Sequence, residues 1–139
     1  MLELIGLDHV VLRAKNTARL LDFYCNVLGC TVERVNEKMG LTQVRAGQSL
    51  IDLVSVSGEI GREGGAPPGG EGHNVDHFCL RVQQFYAAAL ASYLTAKGVA
   101  PGEVKERYGA DGYGPSMYIR DPEGNGVELK GPPVRGSVI

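Results

Sequence analysis

One short motif occurs twice and divides the chain into two halves. An apolar residue followed by Asp and His is found at Leu7-Asp8-His9 and again at Val75-Asp76-His77, about half the chain length apart. In each copy an Arg, Arg13 or Arg81, lies four residues after the His. An internal repeat indicates how a chain is divided into structural units. Burying the polar Asp and His side chains in an apolar strand costs free energy unless they have hydrogen-bond partners. The motif therefore predicts two equivalent units whose histidines are brought to one shared place.

Composition indicates an ordinary soluble protein and excludes several functional classes. The 139 residues suit one domain, or two small repeats sharing a core, and the net charge of −2 leaves no basic footprint for nucleic acid or an anionic membrane. Apolar runs are far shorter than the roughly 20 residues of a membrane span, and the N-terminus does not resemble a signal peptide. The three cysteines form no CxxC pair, which favours reduced thiols and a cytoplasmic location. Cys79 is expected to be buried.

Each half is predicted to form a βαβββ unit. For the first half, strands are expected at residues 4–14, 31–36, 40–46 and 49–57, with a helix that is capped by Asn16 or Thr17 and ends near Gly29. For the second half, we expect a helix at 84–98 and strands at 73–82, 103–108, 115–120 and 126–130, with a turn at 121–126. The fold class is therefore α+β, with tandem modules at 4–57 and 73–131 forming curved mixed sheets around a cleft, within a single domain, 1–139.

Three glycine- or proline-rich segments separate these elements. Residues 58–72 are expected to form no ordered helix or strand, and to act either as a flexible connector or as a mobile flap over a site. The loop 109–114, flanked by Tyr108, Tyr113 and Tyr118, is expected either to close over a substrate or to be an ordinary exposed loop. The tail from 131 to 133 is expected to be loose.

A carboxylate on the last strand of each half accompanies the histidine on the first. Aligning the halves by their predicted elements pairs Asp52 with Glu128, and each carboxylate points away from its apolar neighbours because side chains alternate along a strand. Two imidazoles and one or two carboxylates suit a divalent cation with positions left open for a substrate. Either histidine taken alone is more often a structural residue, and Asp52 is either a ligand or a solvated or hydrogen-bonded carboxylate.

Four segments together resemble a known family. They are Leu7-Asp8-His9-Val10-Val11-Leu12, Leu21-Asp22-Phe23-Tyr24-Cys25-Asn26-Val27-Leu28-Gly29, Val75-Asp76-His77-Phe78, and Tyr118-Ile119-Arg120-Asp121-Pro122-Glu123-Gly124-Asn125-Gly126-Val127-Glu128-Leu129. The chain resembles the vicinal oxygen chelate superfamily, which comprises the glyoxalase, bleomycin-resistance and extradiol dioxygenase proteins.

The resemblance implies paired βαβββ modules around a metal site, usually in a homodimer. Its ligand positions fall on His9, Asp52, His77 and Glu128, where glyoxalase I has a glutamate in place of Asp52. Three-ligand members use the positions of His9, His77 and Glu128 only. The implied cofactor is a divalent ion, Zn, Ni, Mn or Fe, and the modules pair either within one chain or across a dimer.

The function that the resemblance implies is that of a glyoxalase-like lyase or isomerase acting on a small oxygenated substrate. The ion stabilises the developing enediolate, with Glu128 as the first candidate for the catalytic base and Asp52 as the second. Candidate substrate-binding residues are Arg13, Arg81, Tyr108, Tyr113, Tyr118 and Arg120.

Other functions remain open at this point. One is an extradiol-type dioxygenase, whose further active-site histidine only His73 could supply. Another is a fosfomycin-resistance-type transferase, with a cationic cradle from Arg13, Arg81, Arg120 and Lys130, although each of these is as easily a solvated strand end. The last two are a non-catalytic bleomycin-resistance-like binding protein and a metal-free structural dimer. No glutathione site is definable from the sequence.

Overall fold

Two four-stranded mixed sheets make up the protein, whose computed structural model describes residues 2–134. The chain divides into two compact units, with the boundary after Asn74. Each unit has one sheet with the same topology and few helices, which confirms the predicted α+β class with two repeated modules. Within residues 2–134, no helix has the length and apolar character needed to cross a membrane.

The first module follows the predicted order of elements. It contains β1 (His9–Ala14), α1 (Thr17–Asp22) extended by a π-helical turn (Phe23–Val27), β2 (Thr31–Asn36), β3 (Leu41–Ala46) and β4 (Ser49–Ser55). The sheet order is β1-β4-β3-β2, with β1 parallel to β4 and the other pairs antiparallel. The Asn16 side chain accepts a hydrogen bond from the Arg19 backbone N–H and so caps α1. The largest fully buried side chains of the module include Leu12, Leu20, Tyr24, Ile51 and Leu53.

The second module repeats this arrangement. It contains β5 (His77–Arg81), α2 (Ala87–Ala96), β6 (Lys105–Gly109), β7 (Gly112–Arg120) and β8 (Gly126–Lys130). The sheet order is β5-β8-β7-β6, and β5 is again parallel to its neighbour β8. The buried apolar side chains are Leu94, Met117, Ile119, Val127 and Leu129.

Both first strands are shorter than predicted. The strand expected at 4–14 begins at His9, and the one expected at 73–82 begins at His77. Each pairs with a single neighbour, and that neighbour's register ends at Leu50 opposite His9 and at Gly126 opposite His77. The apolar residues before His9 therefore have no strand to pair with, and Leu4 is 92% exposed.

The prediction that 58–72 forms no ordered helix was wrong. Residues Gly61–Gly64 form a 3₁₀ turn, and the Arg13 guanidinium donates hydrogen bonds to the carbonyls of Gly61 (3.3 Å), Gly65 (3.1 Å) and Ala66 (2.7 Å). The Asn74 side chain bonds both the backbone N–H and the carbonyl of Arg13, at 3.2 and 3.0 Å. The glycines allow the backbone to form this turn, and Arg13, which is distant in the sequence, stabilises it through these hydrogen bonds.

The other glycine-rich segments are also more ordered than predicted. Gly109 pairs with Gly112 across a two-residue turn, so the expected loop 109–114 is part of a β-hairpin. The tail follows β7, because Gly131 N–H donates to the Pro115 carbonyl and Val134 N–H to the Tyr113 carbonyl. Cys79 is exposed, contrary to expectation, because its side chain lies on the polar face of the sheet beside Glu128.

Candidate functional site

In the first module, β1 and β4 bring an imidazole and a carboxylate together. His9 Nε2 lies 3.9 Å from Asp52 Oδ2, and His9 Nδ1 lies 2.7 Å from Asp8 Oδ2. An ionised aspartate only accepts hydrogen bonds, so the contact with Asp8 places a proton on Nδ1. The hydrogen bond with Asp8, followed by the charge of Asp52, raises the pKa of His9 above its usual value.

Asp52 is held from the side opposite to β1. It is buried, with 6% of its surface exposed, and Gln43 on β3 is its register partner. The Gln43 Nε2 group donates to both carboxylate oxygens of Asp52, each at 3.1 Å. Side-chain hydrogen bonds therefore already occupy part of this carboxylate's acceptor capacity.

In the second module, β5 and β8 repeat the pair with a longer carboxylate. His77 Nε2 lies 3.4 Å from Glu128 Oε1, and His77 Nδ1 lies 2.6 Å from Asp76 Oδ2. Glu128 is buried at 7% exposure. The same preceding aspartate and the same ring orientation thus recur in both modules.

Tyr118 is the aromatic neighbour of the second pair. It lies on β7 as the register partner of Glu128, and its ring meets the His77 ring edge-on with the two centroids 5.1 Å apart. The guanidinium carbon of Arg107 lies 4.6 Å from the Tyr118 ring centroid. Desolvation, followed by the charge of Glu128, raises the pKa of Tyr118, so the phenol stays neutral near pH 7 and can donate a hydrogen bond.

Each pair combines two potential metal donors, a histidine nitrogen and a carboxylate oxygen. Protein histidines that bind a metal usually donate the other ring N–H to a carboxylate, as His9 and His77 do here, which leaves Nε2 available beside the second carboxylate. A nitrogen and a carboxylate oxygen suit Zn²⁺ and related divalent ions. Within residues 2–134, no three His, Cys, Asp or Glu side chains are grouped closely enough to hold an ion.

The other predicted substrate-binding residues are placed differently. Arg13 is engaged with the 58–72 segment, Arg120 Nη1 donates to the Gly124 carbonyl at 2.8 Å, and Arg81 Nε lies 3.3 Å from Asp111 Oδ2. Tyr108 and Tyr113 stack edge-on at 5.0 Å in the hairpin stem. Of the six, Tyr118 alone is described in contact with a histidine–carboxylate pair.

A cavity of about 520 Å³ lies in the second module, with Glu128 in its wall. Arg81, Tyr108, Asp111 and Lys130 are among the other lining residues. Although Cys79 is exposed as a residue, partial desolvation of its thiol in this wall, followed by the charge of Glu128, raises its pKa to about 11, so the thiol stays protonated.

Sequence reasoning did not identify Gln43 or Arg107 as neighbours of the site. Both lie on strands that contain no predicted metal ligand, and the pairing of those strands with their neighbours brings both residues to the site. Gln43 lies directly across from Asp52, and Arg107 stacks on the ring of Tyr118. The alternation of β3 around Gln43 was the one signal that could have identified it.

The two βαβββ modules, each with a histidine–carboxylate pair, place the protein in the class of paired-βαβββ proteins. Comparison with known proteins identifies the family. The model of the Glyoxalase/Bleomycin resistance protein/Dioxygenase superfamily matches residues 6–129. The chain belongs to this superfamily.

Solved structures agree with this assignment. A virulence protein from Salmonella typhimurium is 26% identical, with 94% of this chain and 98% of that chain covered and a TM-score of 0.75. A lactoylglutathione lyase from Agrobacterium tumefaciens is 18% identical (91% and 93% covered, TM-score 0.65). An antibiotic-binding protein from a Streptomyces species is 19% identical (95% and 98% covered, TM-score 0.70). At these identities the last two show a shared fold alone.

Proposed function

We propose that the protein is a metal-dependent enzyme of the superfamily, a glyoxalase-I-like lyase or isomerase acting on a small oxygenated substrate. His9, Asp52, His77 and Glu128 would hold one divalent ion, Zn, Ni, Mn or Fe, with one pair from each module of the same chain or of two chains in a homodimer. The observation that carries the proposal is the repeated arrangement in which each Nδ1 bonds an aspartate while Nε2 faces a buried carboxylate.

The ion would supply Lewis-acid stabilisation of negative charge on adjacent substrate oxygens. Glu128 would move the proton, because it is buried beside His77 and its side chain is longer than that of Asp52. Tyr118 would orient Glu128 through the hydrogen bond between them, and its neutral phenol would remain a donor throughout. Asp52 is the second candidate for the base.

A non-catalytic binding protein is the second candidate function. Two observations favour it: no group of three metal donors is present within residues 2–134, and the fold is shared with an antibiotic-binding protein. In that case the polar faces of the sheets would sequester a ligand without an ion.

Metal analysis of the purified protein distinguishes these functions. We expect about one divalent ion per chain after reconstitution with Zn²⁺, Ni²⁺, Mn²⁺ or Fe²⁺, and at least a tenfold loss of affinity in His77→Ala. His73→Ala is the matched control, because His73 is exposed and lies outside both pairs. A protein that takes up none of the four ions would defeat the enzyme proposal. Assays with hemithioacetals, catechols and fosfomycin would then identify the reaction.

A further inference from the structure

We infer that the cavity of the second module binds an anionic group of the ligand, a carboxylate, phosphonate or phosphate, with Lys130 as its counter-ion and Arg81 at its rim. This inference rests on the proposed function, because Glu128 lies in the same cavity wall. It adds a substrate class, namely a vicinal-oxygen compound that also carries a negative charge.

Lys130 is a buried cation that lines an open cavity. Its exposed fraction is 7%, and it forms no ion pair with any carboxylate in the part of the chain that the structure describes. A buried charge is costly unless it is paired. The ammonium donates to the carbonyls of Arg107 (2.7 Å) and Gly114 (3.4 Å), which uses two of its three N–H groups. An anionic ligand would supply the missing charge.

The hairpin is built around this side chain. A Cβ at Gly109 would lie 2.5 Å from Lys130 Cε, and a Cβ at Gly114 would lie 3.1 Å from Lys130 Nζ. Glycine at both positions therefore leaves room for the lysine to cross the sheet from β8 to the β6–β7 hairpin. The placement of the ammonium is a feature of the fold rather than of a flexible surface chain.

The surrounding side chains extend the positive character of this face. Arg81 is the register partner of Lys130, as Cys79 is of Glu128, and side chains two apart on a strand share a face. Arg81 forms an exposed ion pair with Asp111, while Arg107 donates to Ser116 and stacks on Tyr118. Three cations thus lie on the sheet face where Glu128 is the buried anion.

The test compares two ligands that differ by one carboxylate. Catechol and 3,4-dihydroxybenzoate share vicinal oxygens, and isothermal titration of the Mn²⁺-loaded protein measures the ratio of their affinities. A charge-assisted contact predicts that wild type prefers 3,4-dihydroxybenzoate by about tenfold or more, and that Lys130→Met reduces the ratio to about twofold or less. Lys38→Met, which removes the same charge from an exposed turn, should keep the wild-type ratio.

The ratio separates charge recognition from a structural role, because a distorted cavity would weaken both ligands together. Lys130→Arg, which restores the charge, should recover part of the preference. If Lys130→Met does not fold, Arg81→Gln carries the test, since this arginine is exposed and its loss should lower the preference about threefold. Equal affinities for the two ligands in wild type, or an unchanged ratio in the variants, would overturn the inference.

A metal-free experiment keeps this inference distinct from the proposed function. Inorganic phosphate added to EDTA-treated protein should raise the thermal unfolding midpoint of wild type and Lys38→Met but not of Lys130→Met. If the protein takes up no ion, the enzyme proposal fails, and the phosphate result alone decides on the anion site. The absence of any phosphate effect on wild type would then count against it.

Discussion

The two modules share one topology but hold their carboxylates differently. In the first module, Asp52 receives two hydrogen bonds from the Gln43 amide and lies 3.9 Å from His9 Nε2. In the second, Glu128 has Tyr118 at the position equivalent to Gln43, and its oxygen lies 3.4 Å from His77 Nε2. The longer carboxylate lies beside an aromatic ring and a cavity and is the one that we propose as the base, whereas the shorter one is held by its neighbour Gln43.

The corresponding arginines show the same division. Arg13 and Arg81 occupy equivalent positions four residues after each histidine, yet Arg13 holds three backbone carbonyls and Arg81 forms one exposed ion pair. The first module thus uses its repeated polar residues to order its own chain. The second leaves them along the wall of a cavity. The two copies of the motif therefore share an arginine, but Arg13 and Arg81 make different contacts.

The largest expected difference between the modules is in metal affinity. Glu128→Gln should lower the affinity for Zn²⁺ by at least about 100-fold, because it removes a buried anionic donor beside His77. Asp52→Asn should lower it by no more than about tenfold, since Gln43 already engages both oxygens of Asp52. Competition titration with a chromogenic chelator measures both values.

Glu37→Gln is the matched control for this comparison. It makes the same isosteric change at an exposed turn and should leave the affinity unchanged. Losses of equal size in Glu128→Gln and Asp52→Asn would show that the two modules contribute equally, and the asymmetry described above would then have no bearing on the ion.

Much of the fold could be predicted from the sequence because local signals agreed with the tertiary structure. The turn at 121–126 is an example: Asp121 Oδ1 accepts hydrogen bonds from the backbone N–H groups of Glu123 and Asn125, and Gly124 has a φ of +85°. Asp and Gly at these positions are residues that such a turn requires. Strands 31–36 and 126–130 were predicted with their observed bounds.

The misses share a physical cause, which is dependence on a distant partner. The start of β1 is set by the register of β4, and the 3₁₀ turn in 58–72 is held by Arg13. Glycines 109 and 114 were interpreted as a loop, although they make room for Lys130. At the candidate site, the sequence gives residue types and repetition, whereas the contacts of Gln43 and Arg107 depend on pairing that no local pattern encodes.

A second prediction concerns the two arginines and the order of the 58–72 segment. Arg13→Ala should lower the free energy of unfolding by about 2 kcal/mol, because three partly exposed hydrogen bonds are lost. Arg81→Ala should change it by less than about 0.5 kcal/mol, since its ion pair is exposed. Urea denaturation measures both values.

Limited trypsin digestion tests the same comparison locally. Cleavage after Arg62 should be faster in Arg13→Ala than in wild type or Arg81→Ala, because the guanidinium no longer anchors the turn. Identical cleavage rates in all three proteins would mean that Arg13 does not order this segment.

The smallest expected effect comes from a position where one module carries a thiol and the other does not. Cys30 N–H donates to the Tyr24 carbonyl just after the first helix, and Val99 N–H donates to the Leu94 carbonyl just after the second. Burial raises the pKa of Cys30 to about 11 from the 9.0 of a free thiol. Between these two pH values the unfolded chain loses the thiol proton and the folded chain keeps it, so wild-type stability should fall as pH rises through this window.

Replacing Cys30 with the valine of the second module removes that titration. Cys30→Val should match wild type at pH 7 to within about 1 kcal/mol, because the substitution nearly conserves an apolar volume. At pH 10.5 the variant should gain about 1 kcal/mol relative to wild type. Urea unfolding at the two pH values provides the measurement, and Cys25→Ala controls for the neighbouring thiol. A wild-type protein whose stability follows that of Cys30→Val across the window would show that the packing after the two helices is equivalent and that this thiol is not desolvated.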